Sequence, residues 1–188
     1  MIGAIMTNLV LSRRLRPVLI LAAITLPFLA TPGLAVPPGP ALDAGGFRQV
    51  LEQQRGQVVL VNFWATWCQA CLKEIPALLD LERQYHDRGL RLVAVSLDEP
   101  ADYSAVLVPF LGKWFPTLRT YRRATPDMDG LVSVLDPAWN ELLPTSYVLD
   151  RSGAVKLRIQ GGKSAEDFAA AIRPWLDPAP ATGRRATP

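Results

Sequence analysis

Two cysteines, Cys68 and Cys71, enclose Gln69 and Ala70, and they are the whole thiol content of the chain. A strand-forming run, residues 57–65 (QVVLVNFWA), precedes them, and a helical pattern over residues 68–88 follows. At the start of a helix, unpaired backbone N–H groups and the helix dipole favour a negative sulfur. The thiolate so favoured is a nucleophile near neutral pH. One helical turn brings the second sulfur within bonding reach, where it can resolve a mixed disulfide. The spacing predicts a redox pair, with Cys68 as the exposed attacking thiol and Cys71 as the more buried partner. A passive disulfide is the blander reading, but so short a loop would constrain the unfolded chain little. Zinc wants four ligands, or three and a water, and the sole histidine, His86, stands near the far end of the same helix. There it reads as a solvated or helix-terminal side chain. No resident metal or cofactor is expected. From a different class comes a Cu(I) carrier, since that ion accepts soft thiolate ligands.

The start of the chain decides the setting of the pair. Arg13, Arg14 and Arg16 precede residue 36 while all 17 acidic residues follow it, so the formal net charge of +3 belongs to this segment. The remainder is balanced and gives no reason to expect nucleic acid as a partner. The arginines lead into an uncharged apolar run, residues 18–30, then Pro32, Gly33 and small residues up to 35. That is the layout of a secretory signal peptide over residues 1–35. The run falls short of the roughly 20 residues that span a bilayer comfortably, and a retained membrane anchor is the alternative. The folded part is therefore expected in the periplasm or another extracytoplasmic space, under oxidising conditions.

Residues 36–41 are Pro/Gly-rich and read as a linker, 42–176 as one domain, and 177–188 as a patternless disordered tail. With 49% apolar residues, the domain can build a core without disulfide staples. Helical spacing predicts a helix over 44–54. Continuous apolar runs predict buried strands over 57–65 and 90–97, joined by the helix 68–88 with Pro76 inside it. A helix is expected over 102–114, interrupted by Pro109. Short strands are expected over 117–121 and 131–135, with loop between them. Residues 136–139 (DPAW) read as a capped single turn, 145–149 as a strand, 150–153 as a hairpin turn, and 154–159 as its half-exposed partner. Ser164 caps a last helix to 176. Two strands joined by a helix form a right-handed βαβ unit, to which the hairpin adds antiparallel strands.

The stretch Val59-Leu60-Val61-Asn62-Phe63-Trp64-Ala65-Thr66-Trp67-Cys68-Gln69-Ala70-Cys71-Leu72-Lys73-Glu74-Ile75-Pro76 resembles the active-site region of TlpA/ResA-like thioredoxin-fold proteins, which are extracytoplasmic thiol–disulfide oxidoreductases. The resemblance continues through Leu143-Pro144-Thr145-Ser146 and the turn at Asp150–Gly153. It implies an α/β thioredoxin fold, a central mixed β-sheet flanked by helices. It implies that Pro144 is a cis proline facing the cysteines, with the backbone of Leu143 and Thr145 available to an extended substrate, and Trp67 at the rim of the site. It also makes Glu74 the candidate proton relay for Cys71, since Asn62 stands where thioredoxin has an aspartate and cannot take a proton. A solvated helix-surface Glu74 is the competing view. Trp64 reads as core.

The implied substrates are exported proteins with paired cysteines, such as apocytochromes awaiting haem or a copper-site protein. A membrane thiol donor would recharge the pair. A peroxiredoxin-type peroxidase is a further alternative, but residues 61–68 lack the Pro-x-x-x-Thr-x-x-Cys of such enzymes. The chain departs from the family in lacking a proline at Ala70 and in the stretch 117–143. The direction of electron flow is left open by the neutral Gln69-Ala70 pair.

Overall fold

The computed structural model describes residues 37–176. The expected export segment at 1–35 and the tail at 177–188 lie outside the described residues. The elements in order are β1 (Ala41–Leu42), α1 (Ala44–Gln53), β2 (Val58–Trp64), α2 (Gln69–Tyr85), β3 (Leu90–Ser96), α3 (Val108–Trp114), β4 (Thr120–Arg123), α4 (Met128–Val132), β5 (Thr145–Leu149), β6 (Val155–Gln160) and α5 (Ala165–Leu176). They build one six-stranded sheet in the order β1-β4-β3-β2-β5-β6. β1 to β4 run parallel where they pair, and β5 and β6 are antiparallel.

β2 is the centre because it can be buried on both sides: all its residues are buried. Its period of two sorts them between the two faces. Val59, Val61 and Phe63 meet Phe47 and Val50 of α1 and Leu131 and Val132 of α4. Val58 and Leu60 meet Leu78 and Leu81 of α2 and Phe168 and Ile172 of α5. The same alternation turns Asn62 and Trp64 toward the α2 side. A third cluster, joining Trp64, Ile75, Leu107, Leu111 and Leu118, encloses the two cysteines.

The fold departs from expectation in five places. The predicted strand at 131–135 is the end of α4 and the turn after it. Asp127 caps this helix by accepting from the Gly130 N–H at 2.8 Å, and Leu131 and Val132 bury side by side beneath it. The predicted helix at 102–114 is three pieces: a 3-10 turn at Pro100–Asp102, a π turn at Tyr103–Leu107, and α3. Pro109 has no N–H and its ring would strike the carbonyl four residues back, which an uninterrupted α-helix does not allow. The strand predicted at 117–121 begins only at Thr120, after a turn in which the Leu118 N–H reaches the Phe115 carbonyl at 3.0 Å. The expected linker ends early, because Ala41 and Leu42 pair with Arg122 and Arg123 as an edge strand. β6, at the other edge, is more exposed than its alternation suggested, and Val155 and Leu157 face solvent. Among the described residues, no helix is long and apolar enough to cross a membrane.

Candidate active site

Three segments meet around the dithiol: the turn from β2 into α2, the first turns of α2, and the entry into β5. Cys68 is the N-cap of α2, with extended backbone (φ −88°, ψ 93°), and its Sγ accepts from the Cys71 N–H at 3.2 Å. The two cysteines are joined in a disulfide with Cα atoms 5.3 Å apart. Cys71 is 0% exposed and Cys68 only 8%. The order of exposure is the expected one, but Cys68 is far less open than predicted, because the third apolar cluster walls it in. Trp67, at 65%, is exposed beside it, as are Gln69 and Ala70.

Glu74 lies one turn beyond Cys71, on the buried side of α2, and is 2% exposed. It is not a solvated surface residue. Its Oε1 accepts from Asn62 Nδ2 at 2.8 Å, and its Oε2 accepts from the Lys163 N–H at 3.3 Å. The second Asn62 N–H goes to Ser146 Oγ at 2.9 Å. Burial pushes the Glu74 carboxyl up to about 7, against the smaller downward pull of the Asn62 and Lys163 hydrogen bonds and the Lys163 charge. A buried carboxyl that changes charge near neutral pH, three residues from Cys71 on a helix, is a group able to hold or release a proton there.

The Leu143–Pro144 peptide bond is cis. Leu143 is half-buried and packs against the cysteine cluster. The Pro144 carbonyl is taken by the Gly161 N–H at 2.9 Å. Thr145 is fully buried inside the sheet, in register with Phe63 and Gln160, and its hydroxyl donates to the Leu142 carbonyl at 2.5 Å. Its side chain therefore faces the interior rather than the rim. Leu142, which sequence reasoning did not single out, is 47% exposed.

The divergent segment before Pro144 is fastened to the hairpin. Asp136 accepts from the Tyr147 hydroxyl and pairs with Arg158, both at 2.9 Å, and Asn140 Oδ1 accepts from Arg158 at 2.8 Å and from Gln160 at 2.6 Å. Glu141, between these anchors and Leu142, has a left-handed φ of 59°.

Sequence reasoning also missed Asp98, just beyond β3, and Arg123, at the end of β4. Both are buried, at 4% and 2% exposure. The available signal was positional: both stand at the carboxyl ends of parallel strands, on the side of the sheet where the cysteines lie. Among the described residues no three metal-ligating side chains gather. His86 caps the far end of α2, about 27 Å from Cys68 at 1.5 Å per residue. A metal held by the thiols would not reach it.

Residues 32–158 match the AhpC/TSA family. The chain is 31% identical over 126 residues to the thiol-disulfide oxidoreductase ResA of Geobacillus thermodenitrificans (strain NG80-2), covering 67% of each chain. The ResA of Geobacillus kaustophilus (strain HTA426) gives the same figures. The crystal structure of a thiol:disulfide interchange protein of the thioredoxin family from Chlorobium tepidum TLS superposes with a TM-score of 0.55 at 26% identity, over 67% of this chain and 84% of that one. A DsbF homologue from Corynebacterium diphtheriae shares the fold at a TM-score of 0.53 and 21% identity, over 65% of this chain and 74% of that one.

Proposed function

The chain belongs to the AhpC/TSA family and is a thiol–disulfide oxidoreductase with a thioredoxin fold, and from that premise we propose that it reduces disulfides of exported proteins through Cys68 and Cys71. The observation that carries this reading is the position of Cys68, the N-cap of α2 and already bonded to Cys71. In the reduced protein the Cys68 thiolate attacks one sulfur of a substrate disulfide. The substrate S–S bond breaks, a mixed disulfide forms, and the other substrate sulfur leaves as a thiolate that takes a proton from water. Cys71 then attacks Cys68, releasing the second substrate thiol and closing the Cys68–Cys71 bond. Two electrons pass to the substrate, and a membrane thiol donor restores the pair. Glu74 takes the proton that Cys71 gives up when it attacks.

Trp67 and the backbone at Leu143, beside the cis Pro144, receive the substrate segment. The setting is extracytoplasmic, after export directed by residues 1–35, which are either cleaved or kept as an anchor. The working domain runs from β1 at Ala41 to the end of α5 at Leu176. Substrates with paired cysteines, such as apocytochromes or a copper-site protein, fit this reading.

Redox titration against glutathione tests it. The wild-type pair should interconvert reversibly between dithiol and disulfide, with a potential nearer thioredoxin, about −270 mV, than DsbA, about −120 mV. Cys71→Ser should trap substrates as mixed disulfides in an extract of exported proteins, and Cys68→Ser should trap none. A pair that never opens reversibly, or traps that carry no partner, would overturn the proposal.

A further inference from the structure

Asp98 stands outside the chemistry described so far, yet its carboxylate reaches the turn that presents the dithiol. Ala65 to Cys68 form that turn, closed by the Cys68 N–H on the Ala65 carbonyl at 3.1 Å. Thr66, second in the turn, donates its N–H to both oxygens of Asp98 at 3.1 Å and its hydroxyl to Oδ1 at 2.6 Å. The Ser96 hydroxyl donates to Oδ2 at 2.7 Å. Ser96 is the β3 residue in register with Trp64, the last residue before the turn. The Leu97 N–H reaches the Trp64 carbonyl at 2.8 Å, so the base of the turn is tied to the same strand end.

Asp98 is itself braced from the far side. Arg123 Nε donates to its backbone carbonyl at 2.9 Å, and the same guanidinium pairs with Glu99 and reaches the Pro126 carbonyl. Burying a carboxylate costs desolvation, which these donors offset, and closing a surface turn does not require it. Its geometric product is a fixed Thr66, from which Trp67 projects outward and Cys68 begins α2.

We propose that Asp98 is a positioning residue for thiol–disulfide exchange, clamping the Ala65–Cys68 turn so that the Cys68 sulfur stays on the N-terminus of α2. The proposal rests on Cys68 being the attacking thiol. If the turn loosens, the sulfur drifts from the backbone N–H groups that favour its thiolate, and nucleophilic attack slows. A pure charge effect has the opposite sign, because removing an anion near Cys68 favours the thiolate and speeds attack.

The test is the rate at which the reduced protein is alkylated by iodoacetamide, with the labelled cysteine identified by mass spectrometry. Asp98→Asn is expected to slow labelling of Cys68 about tenfold, the effect of roughly 1.4 kcal/mol. Thr66→Val, which removes one clamp bond without changing charge, is expected to slow it about threefold, and Thr66→Ser to restore most of the rate. Thr66→Val also keeps the test decisive if Asp98→Asn fails to fold. Urea denaturation is followed in parallel. Variants that lose stability but label Cys68 at the wild-type rate would make the clamp structural only and overturn the proposal. Faster labelling in Asp98→Asn would overturn it in favour of a charge effect. A label on Cys71 in place of Cys68 in the wild type would instead sink the assignment of the nucleophile.

Discussion

Two buried carboxylates flank the dithiol, and they are held in opposite ways. Asp98, just beyond β3, collects the Thr66 N–H and hydroxyl from the turn and the Ser96 hydroxyl from the end of β3. Glu74, after the turn, has one good donor in Asn62 and one long contact to the Lys163 backbone. Both are almost fully buried. Burial is common to both; the donors around them are what differ. Asp98 is fixed in place by its donors, whereas burial pushes the Glu74 carboxyl up to about 7, where it can exchange a proton.

The most severe break in this contrast is Asp98→Ala. It leaves the Thr66 N–H, which is part-buried, without its acceptor and makes two hydroxyls find new partners. The expected loss is about 3 kcal/mol of unfolding free energy, read by urea denaturation. Glu74→Ala should cost less at pH 8, where the carboxyl it removes is a poorly solvated anion. An Asp98→Ala loss below about 1 kcal/mol would show the clamp to be incidental.

Next in size is the pH dependence of stability from Glu74. Its folded value, about 7, lies above the 4.5 of an unperturbed glutamate. Between those values the folded state binds more protons than the unfolded one, so stability falls as pH rises through this window. The contribution is fully present below about pH 4.5 and lost above about pH 7, a swing of about 3 kcal/mol. Glu74→Gln should flatten the wild-type decline between pH 5 and pH 8. A wild-type profile already flat over that range would mean that Glu74 is not a sparsely held carboxyl.

The same contrast shows what the chain discloses locally. β2 and β3 are legible as continuous apolar runs, and the dithiol turn follows from a Cys-x-x-Cys at their junction with a helix. Glu74 is ambiguous from its own neighbourhood, since a helix offers both faces. Its burial comes from Asn62 on β2 and from Lys163, 89 residues away. Asp98 meets Thr66 across 32 residues, so nothing adjacent to either announces the clamp. Residues 131–135 (LVSVL) mislead for the converse reason. Their apolar, β-branched character matches a short strand, whereas the deciding signal is the Asp127 cap that precedes them.

Asn62 gives the finest test, because it separates how Glu74 is held from whether it is buried. The amide spends one N–H on Glu74 and the other on Ser146. The bond to Glu74 favours the charged carboxylate and partly offsets burial. Asn62→Leu keeps similar bulk and removes that donor, while the Ser146 hydroxyl is free to turn. The Glu74 titration, followed by NMR of the labelled carboxyl carbon in the oxidised protein, should move upward by about one pH unit, the equivalent of roughly 1.4 kcal/mol and the low end for a hydrogen bond to a charged group. An unmoved midpoint would assign the hold on Glu74 to Lys163 and burial alone. A downward move would mean that Asn62 supports the neutral acid, and the donor-count contrast with Asp98 would fail on this side of the dithiol.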